Sequence, residues 1–335
     1  MATFAREVRS IFRPNLFKKK VAIVTGGATG IGHAIVSELL YLGCHVIIAS
    51  RKMERLQAAT ENFRKQIPAS SCSEINYVKC NIREEEEVKN LISTTLSKYG
   101  KLDYLINNGG GQFLSPGENI TLKGWKAVIE TNLTGTFLCC REAYNQYMKE
   151  NSGVIVNIIA DMWKGLPLMS HTGAARAGVY NLTKSLAVEW AGSGVRINCV
   201  APGIIYSETA AANYQENIFQ ALIPQIPAKR LGKPEEVSAA VCFLLSPAAA
   251  FITGETIKVD GASSLYASMF HVPEHTQMPA YSWDVKENDA FEKPNPIGWT
   301  NENIYRNIWP QSQILRKRLL HLTSRIYEER NVISG

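Results

Sequence analysis

Several groups of residues in this sequence have the types and spacing of working chemistry. An apolar run, Val21 to Thr25, leads into Gly26, Gly30 and Gly32 and then into a stretch of helical periodicity. Glycines at such a strand–turn–helix junction let the backbone turn sharply and approach a pyrophosphate. That group would sit at the amino end of the helix, where unpaired N–H groups and the dipole favour negative charge. The chemistry is dinucleotide binding, with Thr29 and Ile31 sharing the turn. The next apolar run ends in Ser50 and Arg51. An acid at this place, about 20 residues past the glycines, would take a ribose 2′-hydroxyl. A hydroxyl beside a guanidinium instead suits a 2′-phosphate, to which arginine presents a planar fork of donors. NADP(H) is therefore expected over NAD, the plainer alternative being that Arg51 and Lys52 cap a solvated helix. Further on, Tyr180 and Lys184 share one helix face at i,i+4 spacing, as do Thr172 and Arg176 two turns earlier. A phenol and an ammonium paired in this way could move a proton to or from a substrate.

The elements that must hold these groups are legible between Lys20 and about Gly261. Short β-branched runs alternate there with amphipathic stretches, the pattern of βαβ units building a parallel sheet. Seven strands are expected, over 21–25, 45–49, 75–78, 104–106, 154–159, 196–200 and 256–259. Helices lie between them, for example 31–42 and 84–99, the second opening on Glu84–Glu87 at the positive end of its dipole. The fold class is thus α/β, a Rossmann-type doubly wound parallel sheet of about seven strands flanked by helices, in one domain spanning residues 20–268. Residues 1–19 form an N-terminal extension whose basic character (Arg6, Arg9, Arg13, Lys18 and Lys19) fits either a weak transit peptide or a basic end without function. Residues 269–335, where the alternation stops, form a C-terminal extension.

Composition agrees with a folded chain. Of 335 residues 45% are hydrophobic and 20% charged, enough for a sizeable core. No apolar run is long enough to span a bilayer. The net charge of +6 suits anionic small molecules, and nucleic acid is not needed to explain it. Seven cysteines without C-x-x-C spacing are expected as free thiols, with no metal site.

The spacing of Gly26, Gly30 and Gly32 resembles the short-chain dehydrogenase/reductase superfamily, and three later motifs follow in that family's order. They are Asn107-Asn-Gly-Gly110, Asn132 within Thr131–Phe137, and Asn198-Cys-Val-Ala-Pro-Gly203. The resemblance covers residues 20–262 and implies that Asn81, Ile82, Asn108, Gly109, Pro202 and Gly203 join the cofactor site. It also exposes a departure. The family's Tyr-x-x-x-Lys pair falls on Thr172 and Arg176, and its serine falls near Ile159 or Ala160. Tyr180 and Lys184 lie eight residues later, about 12 Å along a helix.

His171-Thr-Gly-Ala-Ala-Arg176 is similar to the corresponding stretch of 2,4-dienoyl-CoA reductases, and Asn107 to Pro116 resembles the peroxisomal trans-2-enoyl-CoA reductases still more. The resemblance implies NADPH-dependent reduction of the C2=C3 bond of trans-2-enoyl-CoA to acyl-CoA in fatty acid metabolism. Hydride reaching C3 makes the thioester oxygen an enolate, so donors aimed at that oxygen matter more than a phenol. Thr172, Asn132 and Arg176 are the candidates, with Arg176 also holding the nicotinamide ribose, and the proton for C2 coming from Tyr180 or water. A 2,4-dienoyl-CoA or 3-oxoacyl reductase, or a non-catalytic NADP-binding scaffold, stays open.

The same resemblance implies that residues 204–233 cover the substrate. Ile218, Phe219, Leu222, Ile223 and Ile226 could line an acyl channel and Lys229, Arg230 and Lys233 meet CoA phosphates, or the same residues simply pack and solvate. The resemblance further implies a homo-oligomer, a tetramer, and a peroxisomal location. The final residues Val332–Gly335 do not form a Ser-Lys-Leu-type address, so cytosol and mitochondrion remain alternatives.

Overall fold

The computed structural model describes residues 10–67, 71–212, 217–266 and 274–280, without the side chains of 217, 218 and 221. A second unit, residues 267–273 and 285–335, lies outside the described residues, so most of the expected C-terminal extension does too.

Seven strands form one parallel sheet: β1 (Val21–Thr25), β2 (His45–Ser50), β3 (Ile75–Lys79), β4 (Tyr104–Asn107), β5 (Gly153–Ile158), β6 (Val195–Pro202) and β7 (Thr256–Val259), in the order β3-β2-β1-β4-β5-β6-β7. A sheet covered on both faces needs strands apolar on both sides, which is why β1 and β4 are buried throughout. The helices in chain order are α1 (Gly30–Tyr41), α2 (Met53–Gln66), α3 (Glu85–Tyr99), α4 (Leu122–Ile129), α5 (Gly135–Ala143), α6 (Lys149–Asn151), α7 (Ser170–Glu189), α8 (Glu208–Ala211), α9 (Asn217–Leu222) and α10 (Pro234–Leu245). One core joins α1, α2 and α10 to one face of the sheet through Ile35, Leu39, Leu56, Phe63, Val237 and Val241. The other joins α3, α5 and α7 to the opposite face through Leu91, Ile92, Leu138 and Leu186.

This strand order reverses direction between β1 and β4, and in open α/β sheets the crevice at the carboxyl ends beside such a reversal receives the ligand. The turns after β1, β2, β3, β4, β5 and β6 all meet along that edge. Residues 10–19, expected as an extension, pack against the same core. Phe17 is fully buried, its N–H donates to Leu42 O at 2.9 Å, and its ring meets Tyr104 edge-on at 5.4 Å.

Candidate active site

The turn after β1 is built for close approach. Gly26 and Gly30 have φ of +65° and +55°, which side-chain-bearing residues rarely adopt. A β-carbon on Gly32 would run into Gly26 O. Asn108 clamps the turn from β4, its Nδ2 donating to Thr25 O at 3.1 Å and Gly26 O at 3.2 Å, while Gly109 N donates to Thr25 Oγ1 at 2.9 Å. Thr29 starts α1 without a side-chain cap, and no acid lies in its first turn. The amino end of α1 therefore keeps its N–H groups for an anion. Ser50 is half-buried and Arg51 exposed at the end of β2. Asn81 begins the turn after β3, its backbone N–H held by Glu87 at 2.7 Å, and Ile82 packs where Gly135 and Gly109 leave room. Pro202 ends β6, and Gly203 N donates to Val259 O at 3.0 Å. The expected cofactor residues thus lie on the turns at the carboxyl ends of β1, β2, β3, β4 and β6, and the free N–H groups at the start of α1 would suit a dinucleotide phosphate.

Helix α7 brings Thr172 and Arg176 to the carboxyl end of β5. Both are buried, and Arg176 Nη1 donates to Ile158 O at 2.8 Å. A β-carbon on Gly110 would clash with Arg176 Nη2 and come within 2.9 Å of Asn132 Oδ1, so the loop after β4 lies directly on the guanidinium. No carboxylate among the described residues stands beside Arg176, and burial holds its pKa down to about 10. At neutral pH it remains a cation without a counter-ion. The hydroxyl of Thr172 is buried with no partner among the described residues.

Asn132 sits in a π segment, Glu130–Thr134, between α4 and α5. Such bulges re-aim one residue and occur often at functional sites. Its amide is engaged at both ends by Gly111, accepting from N and donating to O at 2.9 Å each. Tyr180 is two turns past Thr172 on the unbroken α7. Lys184 Nζ donates to its hydroxyl at 2.6 Å, and its ring packs beside Trp163 at 5.9 Å. The structure therefore joins Thr172, Arg176, Asn132 and Gly110 in one group, with Tyr180 and Lys184 as a separate pair.

Sequence reasoning missed the support below this group. Asn107 Nδ2 donates to Asn157 Oδ1 at 2.8 Å, Asn157 Nδ2 to Thr183 Oγ1 at 2.9 Å, and Cys199 Sγ–H to the same hydroxyl at 3.1 Å. This buried chain ties β4, β5 and β6 to α7. Two asparagines at the carboxyl ends of otherwise apolar strands, Asn107 and Asn157, were the available signal.

The family described as enoyl-(acyl carrier protein) reductase matches residues 26–263. The chain belongs to the short-chain dehydrogenase/reductase family. It is 37% identical over 253 residues to a probable 2,4-dienoyl-CoA reductase of Bacillus subtilis, covering 74% of this chain and 98% of the relative. It is 34% identical over 268 residues to the peroxisomal 2,4-dienoyl-CoA reductase of Danio rerio, covering 76% and 85%. Among solved structures, a citronellol catabolism dehydrogenase of Pseudomonas aeruginosa is similar at 44% identity and a TM-score of 0.68, covering 77% of this chain and all of the other. Membership makes the chain an oxidoreductase with a nicotinamide cofactor. No helix among the described residues is long and apolar enough to cross a membrane.

The segment expected to cover substrate is pinned at its base, where Gly232 N donates to Ile204 O and Tyr206 N to Gly232 O, both at 2.9 Å. Ser207 brings α8 within 3.4 Å of where a Gly30 β-carbon would stand. Of the expected channel residues Phe219 and Ile226 are buried, Leu222 and Ile223 are half-buried, and the Ile218 side chain lies outside the described ones. Lys229 and Arg230, expected to meet CoA phosphates, are otherwise engaged. Lys229 Nζ pairs with Glu274 at 3.2 Å. Arg230 grips Glu236 at 2.6 Å and donates to Met278 O at 2.9 Å and Pro279 O at 3.2 Å. His275 Nε2 meets Pro227 O at 2.8 Å. Residues 274–280 thus clasp the returning limb of the cover.

Proposed function

We propose that this chain is an NADPH-dependent reductase of the C2=C3 bond of trans-2-enoyl-CoA, working in fatty acid metabolism. The observation that carries the reading is Arg176, a buried guanidinium that among the described residues has no carboxylate beside it, standing with a Thr172 hydroxyl unpartnered among those residues, where a carbonyl reductase of this fold keeps a phenol and an ammonium. Such a site has donors for an oxyanion and no poised acid for an alkoxide.

The turn at Gly26, Gly30 and Gly32 would hold the pyrophosphate, Ser50 and Arg51 the 2′-phosphate, and Arg176 the nicotinamide ribose. When bound, the nicotinamide supplies the hydride that reaches C3. The electron pair of C2=C3 moves toward the thioester, and its oxygen takes on enolate charge. Thr172 Oγ1–H and Arg176 meet that charge in a site already arranged for it, so little reorganisation is needed as the charge grows. Asn132 holds Gly111, and with it the loop that seats Gly110 on Arg176. A proton taken by C2 from water or from Tyr180 completes the saturated thioester. The relatives' names support dienoyl-CoA reduction as a second reading, and family resemblance supports a homo-oligomer and a peroxisomal location.

The test is NADPH oxidation by the purified protein with trans-2-enoyl-CoA, 2,4-dienoyl-CoA and 3-oxoacyl-CoA in parallel, repeated with NADH. Turnover confined to the first substrate and faster with NADPH is expected. Turnover only of the dienoyl or 3-oxoacyl thioester overturns the reading, and cofactor binding without any turnover points to a scaffold.

A further inference from the structure

We propose that His171 is a further catalytic residue, whose Nε2–H donates to the thioester oxygen as it becomes an enolate. The proposal rests on the enoyl-thioester reading above. His171 lies in the first turn of α7 and is fully buried. Its Nδ1 accepts the backbone N–H of Thr172 at 3.0 Å. A ring nitrogen that accepts an N–H carries no hydrogen of its own, so the hydrogen of the neutral ring is on Nε2. That atom is buried and has no partner among the described residues. Orphaned donors in a protein interior are rare, and an acceptor brought from outside relieves them.

The surroundings say what kind of acceptor. The next residue, Thr172, carries a second orphaned buried hydroxyl. One turn on, Arg176 is a cation with no carboxylate beside it among the described residues. The loop after β4 lies over His171 and Arg176. Its Gly110 presses on Arg176, its Phe113 meets the His171 ring edge-on with centroids 4.4 Å apart, and its Ser115 N donates to Leu168 O at 2.8 Å just before α7 begins. The amino end of a helix of 20 residues adds a positive field at the same place. Two neutral donors, a guanidinium and a helix amino terminus suit an oxygen that gains negative charge. They do not suit an ammonium or a hydroxyl that must give up a proton. A neutral imidazole keeps its hydrogen throughout, so His171 stabilises the enolate without protonating C2.

Three variants test this with trans-2-enoyl-CoA as substrate and NADPH binding measured alongside. His171→Phe keeps a ring against Phe113 but removes the donor; kcat is expected to fall by about 100- to 1,000-fold, the usual effect of losing one oxyanion donor, with NADPH affinity unchanged. His171→Gln returns an N–H near the Nε2 position and is expected to recover much of the loss, which a packing role would not explain. If His171→Phe no longer binds NADPH, His171→Met, donor-free and pliant, takes its place. Full kcat in a donor-free variant overturns the proposal, as does a folded His171→Gln no better than the donor-free variant. A wild-type protein inert on the enoyl thioester overturns the underlying reading, and this proposal with it.

Discussion

Arg176→Met should raise the stability of the cofactor-free protein while nearly abolishing turnover. Burial holds the guanidinium pKa down to about 10, against an ordinary value above 12. At about 1.4 kcal/mol per pH unit the difference is roughly 3 kcal/mol of unfavourable burial. Methionine keeps most of the unbranched stem and removes the charge. It also removes the 2.8 Å bond to Ile158 O, a charge-assisted contact whose loss costs about 2 kcal/mol. The burial cost removed is the larger of the two by a margin smaller than either, so Tm should rise slightly. Turnover of enoyl-CoA should fall by about 100-fold or more, since the site loses a buried cation at the developing oxyanion. Thermal and urea denaturation without cofactor, then with NADPH, complete the assay. The stabilisation that NADPH confers should be smaller in the variant, because the ribose no longer answers a buried charge. A variant that is less stable than wild type and still turns over at the wild-type rate would refute the reasoning.

Two further outcomes are expected. Tyr180→Phe should keep most of the wild-type kcat on enoyl-CoA, since its hydroxyl is bonded to Lys184 two turns from Thr172; a larger loss than in Arg176→Ala would show that the phenol is the working acid. Stability should also fall with rising pH through Glu38, which is buried and accepts from Ser10 at 2.7 Å and from Ser238. Burial raises the pKa of this carboxyl in the folded chain. Its protonated form therefore favours folding below the ordinary carboxyl pKa, and the benefit is lost as pH rises through the raised value. Urea midpoints of wild type and Glu38→Gln should diverge across that range, and a difference independent of pH would refute the assignment.

The seven strands were legible to within about two residues at their ends because central parallel strands are apolar runs bounded by turns. The glycine turn was legible because its conformational demand is local. Arg176 and Thr172 could be found by their place along α7, but their isolation could not, since it depends on Gly110 and Ile158 arriving from other strands. Asn132 reads in sequence as a donor to substrate. In the fold a π segment turns its amide onto Gly111. Lys229 and Arg230 read as free cations because Glu274, Met278 and Pro279 lie more than 40 residues away along the chain.

The clasp formed by residues 274–280 changes where the working body of this enzyme ends. Its family match stops at residue 263, yet Arg230 takes two of its acceptors from Met278 and Pro279. A chain trimmed at the family boundary would keep every strand and every residue of the crevice while leaving that arginine half-satisfied and Lys229 without Glu274. The fastening of an inherited part would then have been discarded with a segment that looks dispensable. Two relatives with the same residues from 26 to 263 would then hold the chain at 229–230 with different firmness, although nothing within those residues had changed.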